Sequence, residues 1–164
     1  MHLHLADDQG WRIQIDGWPR QYWGTATTNP TLAAAVAGGT KVVMSPANKA
    51  YLDMKYDRNT PLGLSWAGYI EVRTAYDWDP ANHLTGVGEE AVIGVEAPLW
   101  SETLRDLDDI EFMAFPRLPA IAELGWSPAA TRDWTSFSSR LGAYGPRWNL
   151  RGVDFYPSPQ VTWG

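Results

Sequence analysis

The sequence contains no cysteine among its 164 residues, which excludes disulfide bonds, thiolate metal sites and cysteine nucleophiles. Basic residues are also few, since 13 Lys and Arg stand against 19 Asp and Glu and give a formal net charge of −6. Such a chain has no excess positive charge to displace phosphate counterions, so we expect no nucleic-acid partner. Long apolar runs are missing too, and we expect no membrane span.

Neither a cofactor nor a metal is expected from the sequence. His2 and His4 form the one close pair of histidines, and strand alternation turns both toward one buried side. The first five residues have neither a basic start nor a long apolar region, so the sequence contains no recognisable signal peptide. The cellular location is therefore left open.

Aromatic residues, in contrast, are abundant, with 10 Trp and 7 Tyr. Tyr51 stands two residues before Asp53, and Trp100 stands two residues before Glu102. In an extended segment residues two apart point the same way, so each pair can address one ligand. The apolar faces of a pyranose pack on indole rings, and its hydroxyl groups hydrogen-bond well to carboxylates. The pattern favours a sugar pocket, although spacing alone leaves structural packing as an equal alternative.

The hydrophobic pattern predicts an α/β fold. Apolar or β-branched runs predict strands at residues 2–5, 21–23, 41–44 and 92–95. Helical spacing predicts a helix at residues 31–37, one kinked or two short helices at 106–124, and a further helix starting at Ser127-Pro128. Residues 55–90 are expected to form a long ordered loop. In such a fold, ligand groups gather at the carboxyl ends of the strands.

Six ordered motifs give a more specific indication. They are HLHLADDQGWRI (2–13), QYWG (21–24), SP through YLD (45–53), LGLSWAG (62–68), VEAPLWSET (95–103) and FPRL through ELGWSP (115–128). With these motifs the chain resembles the bacterial β-N-acetylhexosaminidases of glycoside hydrolase family 20. The resemblance implies a (β/α)8 TIM barrel, and four predicted strands would make it an incomplete one.

The resemblance also indicates how the chain is organised. Residues 1–20 resemble an early barrel segment, and residues 21–164 resemble the C-terminal third of the barrel. The central part of the family's barrel is expected to be missing between Arg20 and Gln21. A complete barrel takes about 250 residues, so the length agrees with an internal deletion.

In the family, the acetamido oxygen of the sugar attacks its own anomeric carbon, and an adjacent Asp-Glu pair assists. The Asp orients the acetamide and the Glu protonates the departing oxygen. This sequence contains no Asp-Glu dipeptide. The resemblance therefore implies a β-N-acetylhexosaminidase by descent that is inactive as an isolated chain.

The resemblance assigns roles to seven residues. Tyr51 matches the tyrosine that holds the acetamido carbonyl, and Asp53 and Glu102 match acceptors for the outer hydroxyls. Asp7 matches an acid behind the pocket. The aromatic matches are the pocket walls, Trp23 and Trp100, and the platform for the next sugar unit, Trp66. The other tryptophans are expected to pack in the core: Trp18, Trp78, Trp126, Trp134, Trp148 and Trp163.

Three functions follow as alternatives. The first is hydrolysis of terminal N-acetylglucosamine or N-acetylgalactosamine from chitin-type or other oligosaccharides. The second is weak amino-sugar binding by a remnant pocket, and the third is a truncation product without function. An interrupted barrel also exposes strand edges, so self-association through these open edges is expected.

Overall fold

The computed structural model describes residues 19–164. The predicted strand at residues 2–5 and the candidate residue Asp7 lie outside the described residues. Three short parallel strands form the sheet in the order β1 Arg20–Tyr22, β2 Val42–Met44 and β3 Val92–Val95. The three predicted strands that fall in the described part of the chain are confirmed, each to within one residue.

The sheet is held in register by its central strand. Tyr22 pairs with Met44, and Met44 pairs with Val95, while the register shifts between Val42 and Val43. Val42 and Met44, whose side chains share one face of the central strand, are completely buried, whereas Val43 on the other face is partly buried. The carboxyl ends of all three strands therefore lie along one edge of the sheet.

Helices connect and follow these strands. In the described part of the chain they are α1 Pro30–Ala37, α2 Val72–Tyr76, α3 Leu107–Ala114, α4 Arg117–Trp126, α5 Trp134–Gly142 and α6 Gly145–Arg151. The prediction for α1 is confirmed. Asn29 caps this helix by accepting a hydrogen bond from the Leu32 amide at 2.9 Å, and Pro30 occupies the first position, where no N–H is needed.

The region after β3 contains two separate helices, one of the two predicted arrangements. Pro116 lies between α3 and α4, whereas Pro119 lies in the first turn of α4. The first four N–H groups of a helix have no intrahelical acceptor, so Pro119 costs no hydrogen bond there. Only the first of the two prolines interrupts the helix.

Two expectations about the helices were wrong, and one helix was not predicted. The predicted loop 55–90 contains α2, a helix of five residues that is too short to produce a periodic pattern. The helix expected from Ser127-Pro128 begins at Trp134 instead, because Asp133 caps it by accepting from the Ser136 amide at 2.7 Å. Helix α6 was not predicted at all; it ends at Gly152, whose φ of 69° is left-handed.

The core consists of two clusters of buried side chains. The smaller one lies around β1, β2 and α1 and includes Tyr22, Leu32 and Met44. The larger one joins the segment 47–56 to α2, α4, α5 and α6. The backbone of Gly63, with a left-handed φ of 90°, packs closely against Met113 of this larger cluster.

Replacement of Gly63 by alanine should destabilise the fold. A Cβ there would lie 2.7 Å from the Asp53 carbonyl oxygen and 2.5 Å from Met113 Cε, so overpacking adds to the backbone strain. Gly68 is the matched control, because its φ of 102° is also left-handed but nothing lies within 4 Å of its Cβ position. In urea denaturation we expect Gly63→Ala to lose about 1–3 kcal/mol more than Gly68→Ala. Equal losses for the two variants would contradict the close approach.

Candidate functional site

The candidate residues lie in loops that leave the same edge of the sheet. Trp23 follows β1, Tyr51 and Asp53 follow β2, and the segment carrying Trp100 and Glu102 follows β3. This is the edge at which ligands bind in parallel α/β folds. The loop that carries Trp66 lies between β2 and β3 and pairs with the β2 loop, since Met54 and Leu64 form an isolated parallel bridge.

Backbone hydrogen bonds join these loops to one another. The Leu52 amide donates to the Pro98 carbonyl oxygen at 2.7 Å, which ties the β2 loop to the β3 loop. The Ala47 amide donates to the Gly24 carbonyl oxygen at 3.2 Å, which ties the β2 loop to the end of β1. The loops therefore form one continuous surface rather than three independent segments.

Three aromatic rings cluster on this surface. Tyr51 is 5% exposed, and its ring centroid lies 6.0 Å from Trp66 in an edge-on arrangement and 6.4 Å from Trp100. The two indoles remain about half exposed, at 59% and 53%. Free indole faces beside a buried phenol can receive an apolar ligand face.

The Tyr51 hydroxyl is held in its neutral form. Burial raises its pKa, hydrogen bonding with the Trp100 side chain lowers it in part, and the charges of Asp53 and Glu96 raise it further. A neutral phenol has an O–H to donate. Tyr51 can therefore donate a hydrogen bond to a ligand oxygen over the whole physiological pH range.

Asp53 is a buried carboxyl group with an unused acceptor. Its side chain is 2% exposed, and its Oδ1 atom has no hydrogen-bond partner. Burial raises its pKa, the backbone N–H groups of Asp53 and Trp100 lower it, the Glu102 charge raises it, and the Arg117 charge lowers it. A buried acceptor without a partner costs free energy, and a ligand hydroxyl group would relieve that cost.

The remaining candidates lie farther out. Glu102 is exposed, and its negative charge raises the pKa of Asp53. Trp23 is 52% exposed, and within residues 19–164 it forms no ring pair with Tyr51, Trp66 or Trp100. The structure thus brings five candidates together, places Trp23 at the same edge, and does not describe Asp7.

Two residues of this surface were given no role by the sequence analysis. Thr103 accepts a hydrogen bond from the Gly63 amide at 2.9 Å and so links the loops that carry Trp66 and Trp100. Arg117 is completely buried and bonds to the backbone on both sides of Asp53. A single arginine among the apolar residues of α4 was the available signal for it.

Most tryptophans away from this surface pack in the core, as expected. Trp78, Trp134, Trp148 and Trp163 are buried or partly buried against the larger cluster. Trp126 was expected to pack as well, and this was wrong, since it is 90% exposed at the end of α4. Trp18 lies outside the described residues.

Residues 19–164 contain no group of three or more His, Cys, Asp or Glu side chains arranged to hold a metal ion. In the same part of the chain, no helix has the length and apolar character needed to cross a bilayer.

The parallel strands, the crossover helices and a cluster of aromatic rings at the strand ends define part of an α/β barrel. Comparisons specify which one. The sequence model of the family described as glycosyl hydrolase family 20, catalytic domain, matches residues 20–129. The chain is 49% identical over 143 residues to a β-N-acetylhexosaminidase from Cellulomonas fimi, covering 87% of this chain and 29% of that protein.

Solved structures agree with this match. A family 20 β-N-acetylhexosaminidase from Streptomyces coelicolor is 56% identical with a TM-score of 0.87, covering 92% of this chain and 31% of that one. A mutant β-hexosaminidase from Streptomyces plicatus, in complex with its product GlcNAc, is 57% identical with a TM-score of 0.84 and covers 88% and 30% of the two chains. The chain therefore belongs to glycoside hydrolase family 20 and has an incomplete TIM-barrel fold. It spans about 30% of the length of these relatives.

Replacement of Asp53 by asparagine should change the pH dependence of stability. Burial raises the pKa of Asp53 above its ordinary value of 3.8, so the folded state holds this proton to a higher pH than the unfolded chain does. As the pH rises above 3.8, the wild type should lose stability relative to Asp53→Asn, until the folded pKa is passed. Urea denaturation between about pH 3 and pH 7 measures the difference.

Asp57→Asn is the control with the opposite sign. The Thr60 side chain and the backbone amides of Asn59 and Thr60 hydrogen-bond to Asp57 and lower its pKa. The wild type should therefore gain stability relative to Asp57→Asn as the pH rises toward 3.8. A pH-independent difference for Asp53→Asn would contradict the burial of an unpaired carboxyl group.

Proposed function

We propose that this chain carries the sugar-holding side of a β-N-acetylhexosaminidase pocket without the proton donor. It would bind a terminal N-acetylhexosamine of an oligosaccharide and leave the glycosidic bond intact. The observation that carries this proposal is that one short segment carries the Tyr51 hydroxyl and the unpartnered Oδ1 of Asp53, with two half-exposed indoles beside the Tyr51 ring. One group donates and the other accepts, as the amide and hydroxyl groups of an amino sugar require.

Each residue has a distinct role in this proposal. Tyr51 donates to the acetamido carbonyl oxygen, and Asp53 and Glu102 accept from ring hydroxyls. Trp100 and Trp23 form walls against the sugar and its acetamido methyl, and Trp66 stacks against the next sugar unit. Asp7, the acid expected behind the pocket, lies outside the described residues.

The absence of turnover follows from the residues that the sequence lacks. Cleavage by this family's mechanism needs an acid to protonate the leaving oxygen and an Asp to aim the acetamide. The sequence has no Asp-Glu dipeptide, and general acid catalysis alone is worth roughly 10²- to 10⁴-fold. That residues 1–20 and 21–164 come from separated parts of one barrel is part of this proposal.

Binding without turnover is the expected result. In ¹H–¹⁵N NMR titrations, N-acetylglucosamine should shift the amide signals of Tyr51 and Asp53 saturably, while glucose, which lacks the acetamide, should bind more weakly. Tyr51→Phe should weaken N-acetylglucosamine binding about 3- to 10-fold by removing one hydrogen bond, and should reduce the preference over glucose. Tyr69→Phe is the matched control, since Tyr69 is 52% exposed.

Two outcomes would contradict the proposal in different ways. Release of the aryl group from an aryl N-acetylglucosaminide, at a rate comparable to a full-length relative, would refute the missing proton donor. No saturable shift with N-acetylglucosamine would refute the pocket and favour a truncation product.

The open sheet supports a second proposal, that two copies of this chain associate through a strand edge. Ile93 on β3 is 53% exposed, and β1 and β3 are both edge strands in the described sheet. An exposed apolar edge strand is a template for pairing with another chain. A second copy offers the same edge, so this contact is self-complementary.

Ile93→Lys should shift the chain toward the monomer in sedimentation velocity, because a lysine on an edge strand blocks pairing. Leu150→Lys is the matched control, since Leu150 is 88% exposed on α6, away from the sheet. A wild type that is monomeric and melts cooperatively at all concentrations tested would contradict the association.

A further inference from the structure

Arg117 is the one arginine in the described part of the chain that is completely buried. It is the first residue of α4, and its guanidinium lies 3.8 Å from the centre of the Tyr56 ring. Nη1 donates to the carbonyl oxygens of Met54 at 2.5 Å and Ile70 at 3.2 Å. Nη2 donates to the carbonyl oxygens of Leu52 at 2.5 Å and Met113 at 2.8 Å.

Two of these four carbonyl groups flank Asp53. The carbonyl group of Asp53 itself accepts from the Leu64 amide at 2.8 Å. Three consecutive carbonyl groups are therefore fixed, with Asp53 at the centre. A planar guanidinium has donors in a rigid fork, so it holds Leu52 and Met54 at a set separation.

The guanidinium does not neutralise the Asp53 carboxyl group by a direct bond. Its four described hydrogen bonds all go to the backbone, and Oδ1 of Asp53 has no partner. The positive charge still acts across the short distance and lowers the pKa of Asp53, which opposes the effect of burial. Burial remains the largest influence and the pKa of Asp53 is raised overall, while its Oδ1 keeps no hydrogen-bond partner.

We propose that Arg117 is a positioning residue for sugar binding, which fixes the backbone on both sides of Asp53 while leaving its carboxylate free for a ligand hydroxyl. This inference rests on the proposed function, since Asp53 is the group that would touch the sugar. Arg117 touches no ligand itself. It acts through the orientation and the charge of Asp53.

The test compares three variants by two readouts. The first readout is the pKa of Asp53 from its ¹³Cγ shift, which needs no ligand, and the second is N-acetylglucosamine affinity. Arg117→Met removes the charge and the fork, so the pKa of Asp53 should rise and binding should weaken at least about tenfold, as for loss of a hydrogen bond to a charged group. Arg117→Lys keeps the charge, so it should restore the pKa of Asp53 but only part of the affinity.

Tyr56→Phe is the matched control for loss of stability. The Tyr56 hydroxyl lies 2.9 Å from the Phe115 carbonyl oxygen and 3.1 Å from those of Phe112 and Met113. Removing it perturbs the same cluster while keeping Arg117 in place. We expect the pKa of Asp53 and the affinity to stay near their wild-type values in this variant.

The outcomes separate the positioning role from the proposed function. A wild type that does not bind N-acetylglucosamine refutes the proposed function, whereas the pKa comparison still decides the role of Arg117. An unchanged Asp53 pKa in Arg117→Met, or an equal change in Tyr56→Phe, would overturn the positioning role. If Arg117→Met does not fold, the ¹⁵N signals of the Arg117 guanidinium give a second test. In the wild type these signals should shift as Asp53 titrates, and in Asp53→Asn this shift should be absent. A wild type without such a shift would also overturn the positioning role.

Discussion

The buried guanidinium of Arg117 is the interaction on which the candidate site depends. It joins the first turn of α4 to the segment after β2, to Ile70 two residues before α2, and to Met113 in the last turn of α3, through four carbonyl groups. Burying a cation is costly unless its donors find partners; here Nη1 and Nη2 do, while Nε has none. Removing one partner from a buried charge typically costs about 3–5 kcal/mol. The segment that carries Tyr51 and Asp53 is therefore fixed by the core, although it forms part of a surface pocket.

This arrangement explains why loops without regular structure can hold a precise constellation of side chains. The Leu52 amide donates to the β3 loop, the Leu64 amide donates to the Asp53 carbonyl oxygen, and the Lys55 amide donates to the Leu64 carbonyl oxygen. Gly63 allows its backbone to approach Asp53 closely. Side chains of the site can then keep an unfavourable arrangement, such as the buried Oδ1 of Asp53 without a hydrogen-bond partner. A site that is held by many surrounding contacts can keep an unpaired buried group despite its free-energy cost, and ligand binding relieves that cost.

Much of the fold could be predicted from local sequence because its elements have strong local signals. The β-branched run ending at Met44 and the Val92–Val95 run mark parallel strands, and Asn29-Pro30 marks a helix start. Helix α2 has only five residues, too few for a periodic pattern. Helix α6 begins without a side-chain cap, and its remaining signals, Pro146 in the first turn and Gly152 after the last residue, were not used in the sequence analysis. Trp126 was placed in the core because exposure depends on which neighbours are present, and local sequence does not contain that information.

The aromatic and acidic members of the site were predictable from their spacing and from the family motifs. The hydrogen bonds of Arg117 that hold their backbone were not. The four acceptors of Arg117 are up to 65 residues away in sequence and are backbone atoms, so no residue type marks them.

Native-state hydrogen exchange of the Leu52 and Leu64 amides tests most directly whether the core fixes the segment that carries Tyr51 and Asp53. If the core fixes this segment, both amides exchange only through global unfolding and share its free energy. Exchange through local opening, at a much lower free energy than the core helices, would contradict the account.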